Sequence, residues 1–181
     1  MTPEFSRPIR IDTLGGEARS LAVEAGEAER VDLARRFGLV AIDRLAAEAA
    51  LTRSGDAVIA AGRLTAEVTQ SCVATGEPVP ERVEQSFRIE FRPPPEGGSA
   101  EEEIELSESE LDIVFYEGGS LDLGEAVAET LSLNLDPYPR CPEAEAALRE
   151  AGVKSEEEAR AESSPFAALA ALKGGNVPPR A

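Results

Sequence analysis

Arg82-Val-Glu-Gln-Ser-Phe-Arg-Ile-Glu-Phe-Arg92 alternates apolar and polar residues. Val83, Phe87, Ile89 and Phe91 fall on one side of an extended chain, Glu84, Ser86, Arg88, Glu90 and Arg92 on the other. Successive strand side chains point to opposite faces, so the stretch predicts a strand with one buried and one wet face. Upstream, Val58 to Gln70 repeats the pattern, with Leu64, Ala66 and Val68 opposed to Arg63, Thr65, Glu67 and Thr69. The connector Thr75-Gly-Glu-Pro-Val-Pro80 is rich in turn formers, which predicts that the two strands pair as an antiparallel hairpin. Leu45 to Leu51 also alternates and is expected to pair with Val58 to Gln70 across Ser54-Gly55-Asp56, although its alanines would equally suit a helix. The fold class this implies is α+β: a mainly antiparallel sheet, its closure into a barrel left open, with two helices and a C-terminal tail.

Working outward, Phe5 to Ile11 and Leu21 to Val23 are shorter strand candidates, and residues 27–38 read as a helix with Leu33 and Phe37 one turn apart. Pro93-Pro-Pro95 ends the long strand. An acidic loop, 96–117, follows, in which Ile113-Val-Phe-Tyr116 is a short apolar run before the Gly118-Gly119 turn. Asp122 and Glu125 stand at capping-box spacing and should open a helix through Leu133, with Leu123, Val127 and Leu131 as its apolar stripe. Asn134 to Pro139 stops it. The domain is therefore expected over residues 4–140. An acidic, Ala/Glu-rich linker, 141–163, is expected to be mobile and at best loosely helical, and Ser164-Pro165 to open a short terminal helix over 164–173.

A chain of 181 residues, 42% of them apolar, can bury a core. It contains no histidine, which excludes a His general base, Ser-His-Asp and Cys-His arrangements and His-containing zinc sites. None of the Gly-Gly pairs sits in a phosphate-loop frame, and the acidic loop lacks the spaced ligands of an EF-hand. No catalysis, cofactor or metal is expected. Cys72 and Cys141 are expected to be free thiols, with Cys72 buried at the end of a core strand. The absence of an apolar leader or span leads to a cytoplasmic expectation.

Charge divides the chain. Residues 1–95 carry 15 acidic and 12 basic side chains, residues 96–181 carry 20 and 6, and the whole is −17. Phosphate binding draws on clustered Lys and Arg, so this balance counts against an electrostatic grip on nucleic acid. Glu101, Glu102 and Glu103 instead offer an acidic surface to a basic protein. Phe166, Leu169 and Leu172 share one face of the terminal helix, too small to be a core by itself, and are a candidate docking motif. The alternative is direct RNA contact through Arg63, Arg82, Arg88 and Arg92, if these share a sheet face.

Cys72-Val-Ala-Thr-Gly-Glu-Pro-Val79 after an alternating strand resembles the YceD family, the large ribosomal RNA subunit accumulation proteins. Leu121 to Leu133, Pro137-Tyr-Pro-Arg-Cys-Pro142 and Ser164-Pro-Phe-Ala-Ala-Leu-Ala-Ala-Leu-Lys173 agree in order and spacing. The resemblance implies a non-enzymatic role in ribosome assembly, supporting accumulation of 23S ribosomal RNA. It implies as partners the large-subunit precursor, met through a basic ribosomal protein or through the 23S rRNA. Many members show Cys-x-x-Cys where this chain has Cys72-Val-Ala-Thr75, a departure that counts against zinc here.

Overall fold

The computed structural model describes residues 3–94, 112–154 and 159. Its three longest elements are the three alternating stretches: β3 (Ala41–Ser54), β4 (Ala57–Ser71) and β5 (Pro78–Arg92). With β2 (Arg19–Glu24) and β6 (Asp112–Phe115) they form one sheet in the order β2-β3-β4-β5-β6. All neighbours are antiparallel except β5 and β6, which run parallel from Ile89↔Asp112 to Arg92↔Phe115. Strand β3 turns into β4 with Ser54 opposite Ala57, which leaves Gly55-Asp56 as the loop. Gly55 has φ 63°, a left-handed conformation that a side chain would strain. Pro78 and Pro80 lie in β5 where no described strand pairs on its far side, so the missing N–H groups cost no ladder bond there.

The expected hairpins are all present, and the alternation sorts burial as expected. Leu45, Leu51, Val58, Leu64, Val68, Ile89 and Phe91 are buried on the inner face. Fully burying a Leu, Val or Phe stabilises the fold by about 1.5–3 kcal/mol each. Among the described residues the sheet nevertheless does not close into a barrel: β2 and β6 remain its edges. Its inner face is covered instead by two helices, α1 (Glu27–Phe37) through Leu33 and Ala34, and α2 (Leu123–Leu133) through Leu123, Val127 and Leu131. A third helix, α3 (Ala144–Glu150), lies where a linker was expected.

The N-terminal segment forms a separate two-stranded ladder, β1 (Pro8–Arg10) with β7 (Ser120–Asp122), just before α2. Asp122 caps α2 by accepting from the Glu125 N–H at 3.1 Å. Its carboxylate also accepts from the Arg7 N–H at 2.7 Å and from the Ser6 hydroxyl. The second half of the expected capping box is absent, because the Glu125 carboxylate turns to Arg36 of α1 at 2.7 Å. Arg36 also meets Glu4 at 2.9 Å, so one guanidinium ties the N-terminus and both helices together. Those two carboxylates hold its pKa above the usual arginine value.

Candidate functional site: the outer sheet face and the thiol corner

The face of the sheet opposite the helices is formed by every second residue of β2 to β5. Arg63, Arg82, Arg88 and Arg92 all stand on it, exposed, so the fold brings the four arginines onto one surface. Arg44 of β3 joins them. Glutamates from neighbouring positions intervene. Glu48 lies across from Arg63, and Glu67 from both Arg44 and Arg82. Glu84 approaches Arg82 at 2.8 Å and Arg63 at 4.0 Å, and Glu90 binds Arg92 at 2.7 Å. The Glu90 hydrogen bond also raises the Arg92 pKa. With Glu24 at the β2 edge and Arg88, which lies across from Ala61, this face carries five glutamates and five arginines, so it is close to neutral.

Between the charged rows the surface is lined by small residues. A shallow hollow of about 510 Å³ is floored by Ala22, Ala46 and Thr65 and rimmed by Arg44, Glu48 and Arg63. Cross-strand pairs of opposite charge contribute roughly 0.2–1 kcal/mol each to pairing, which accounts for this alternation without any ligand.

Glu101, Glu102, Glu103, Phe166, Leu169 and Leu172 lie outside the described residues.

A second site was invisible in the sequence pattern. The turn after β4 is closed by the Cys72 N–H donating to the Glu77 carbonyl at 2.7 Å and the Gly76 N–H donating to the Cys72 carbonyl at 2.9 Å. Onto this turn the chain leaving α2 is laid. The Val73 N–H donates to the Pro139 carbonyl at 2.9 Å, and the buried Gln70 amide donates to the Asp136 carbonyl at 3.2 Å and to Glu81 at 2.8 Å. Cys141 arrives beside Cys72, and both are buried with Ala144 beneath Ala74 and Val79. Residues 141–144, expected to begin a linker, are therefore packed against the domain, because Cys141 and Ala144 supply the apolar surface that covers Cys72.

The Cys141 N–H donates to the Cys72 sulfur at 3.3 Å, and the Thr75 hydroxyl contacts the Cys141 sulfur at 3.2 Å. Hydrogen bonds to the Cys72 sulfur, led by the Cys141 N–H and then the Thr75 hydroxyl, lower the Cys72 thiol pKa to about 6. Thr75 also acts to lower Cys141, but burial and the adjacent Cys72 sulfur leave that thiol raised. Glu77, Cys141 and Glu143 place donor atoms within 4.8 Å of one another, with both carboxylates exposed and Cys72 outside the group. That is one soft and two hard donors, short of the four ligands of a structural zinc site. Both cysteines are free, as expected.

The chain is thus an α+β protein of the open-sheet class, helices on one face and alternating charge on the other. It belongs to the YceD family: residues 60–173 match the family model described as large ribosomal RNA subunit accumulation protein. The matched span runs from β4 through the thiol corner and α2 to the segment 164–173. No curated protein and no solved structure matches the chain. The family name carries a role in accumulation of the large-subunit ribosomal RNA. No described helix is long and apolar enough to cross a membrane.

Proposed function

We propose that this protein supports large-subunit ribosomal RNA accumulation without a catalytic step, by binding a basic ribosomal protein of the large-subunit precursor. The observation that carries this reading is the neutrality of the outer face. Glutamates facing or bridging its arginines leave little net charge for phosphates, whereas RNA binding gains from uncompensated Lys and Arg that release counterions. The uncompensated charge of the chain is negative and concentrated after residue 95. Ribosomal proteins are basic, and an acidic partner speeds their association and keeps them soluble.

The test is capture of large-subunit components from cell extract by the full chain, with and without RNase, over a salt series. Capture is expected to survive RNase, to weaken as salt screens the charges, and to fall on replacing Glu101, Glu102 and Glu103 together by Lys. Capture abolished by RNase and indifferent to those reversals would instead support RNA contact through Arg63, Arg82, Arg88 and Arg92.

A further inference from the structure

We propose that Cys72 and Cys141 are an oxidation site, at which a peroxide converts two buried thiols into a disulfide within one chain. Their meeting is built by the fold: β4 delivers Cys72 to a tight turn, and the Val73 bond to Pro139 lays the chain leaving α2 against that turn. The Cys141 N–H reaches the Cys72 sulfur at 3.3 Å, and the Thr75 hydroxyl contacts both side chains. Cys72 sits among hydrogen-bond donors, including the N–H groups of Ala74 and Thr75, which favour its thiolate. Cys141 is held as the thiol by burial and by the neighbouring sulfur. One nucleophilic sulfur next to one protonated sulfur is the division of labour a two-step oxidation requires.

In the first step the Cys72 thiolate attacks the O–O bond of the peroxide. An S–O bond forms, hydroxide leaves and takes up a proton as water, and Cys72 becomes a sulfenic acid. In the second step the Cys141 sulfur attacks the Cys72 sulfur. The S–S bond forms, the S–O bond breaks, and the thiol proton leaves with the hydroxyl as a second water. Two electrons pass from the sulfurs to the peroxide, and no other reductant or oxidant is needed. The product would clamp the end of β4 to the segment before α3, across 69 positions of sequence.

The experiment treats the reduced full chain with hydrogen peroxide, quenches over time, and reads intact mass and free thiols. The expected result is a monomer lighter by two hydrogens, both thiols lost together, a Cys72–Cys141 peptide on digestion, and reversal by dithiothreitol. In Cys141→Ser the resolving thiol is gone, and a sulfenic acid trapped by dimedone should accumulate on Cys72. In Cys72→Ser, oxidation of Cys141 should slow by about tenfold or more. The proposal is overturned if the wild-type chain gains oxygen on separate cysteines or forms only disulfides between chains. It is equally overturned if both thiols stay reduced while the urea-unfolded chain oxidises. These readouts on the wild-type chain stand even if a variant folds poorly.

Discussion

On the inner face of the sheet Leu45, Leu64, Ile89 and Phe91 are sealed beneath α1 and α2, while one residue away along each strand Arg44, Arg63, Arg88 and Glu90 belong to the outer face. The same backbone ladder serves both surfaces. Inner residues gain by leaving water, and their energy depends on how fully the helices cover them. Outer residues remain solvated, and their pairs are screened and individually weak. The inner face therefore holds the fold together, and the outer face is available to vary in chemistry at little cost in stability.

The largest expected effect comes from breaking the inner face. Phe91→Ala should destabilise the protein by about 3–5 kcal/mol in urea unfolding, from lost transfer energy and the cavity left behind. Arg88→Ala, on the opposite face of the same strand, should stay within about 0.5 kcal/mol of wild type. Equal effects from the two substitutions would sink the contrast between the faces.

A smaller loss is expected where the N-terminal segment crosses the first turn of α2. A Cβ at Gly124 would stand 2.4 Å from the Phe5 carbonyl oxygen and 3.0 Å from the Arg7 nitrogen, both backbone atoms that cannot step aside cheaply. Gly124→Ala should therefore cost roughly 1–3 kcal/mol despite the higher helix propensity of alanine, read as a lower melting temperature. An unchanged or raised melting temperature would show that this crossing is loose.

The smallest effect concerns the bridge between the N-terminal segment and α1. Arg7 meets Glu29 at 2.7 Å, and this hydrogen bond lowers the Glu29 pKa below its ordinary 4.5. Between the lowered folded value and 4.5 the unfolded chain binds more protons than the folded one, so the bridge's contribution is complete above that window. It is lost as pH falls through the folded pKa. Arg7→Ala should cost at most about 1 kcal/mol at pH 7 and flatten the fall in stability below pH ~4.5, measured by urea unfolding across pH. A loss that persists undiminished at pH 2 would assign the effect to the other Arg7 contacts, with the Phe5 ring at 4.6 Å and the Ser6 and Glu24 carbonyls, rather than to the Glu29 charge.

Much of the fold was legible because period-two alternation is a local property. Leu64-Thr-Ala-Glu-Val68 and Phe87-Arg-Ile-Glu-Phe91 declare their buried sides without knowledge of what covers them, and Gly55 marks a reversal because few other residues tolerate φ 63°. Strands β6 and β7, four and three residues long, were too short to show a period. The parallel pairing of β6 with β5 depends on where the chain returns after residue 95. The outer arginine face could be read as a shared parity, but its neutrality could not. Glu48 meets Arg63, and Glu67 meets Arg82, only through the register of two hairpins.

What the sequence by itself determined is which side of each strand is apolar, where the hairpins turn, where α2 begins, and that histidine chemistry is absent from the chain. Only the tertiary structure decided that the sheet stays open, because closing it requires β2 and β6 to meet, and α1 and α2 already occupy the inner face that a barrel would enclose. It also decided that Glu125 serves Arg36 rather than its own helix cap, and that Cys72 and Cys141 share a hydrogen-bonded corner. Local propensity reaches only a few residues along the chain. Contacts across 69 or 89 positions exist because the packed core brings those surfaces together.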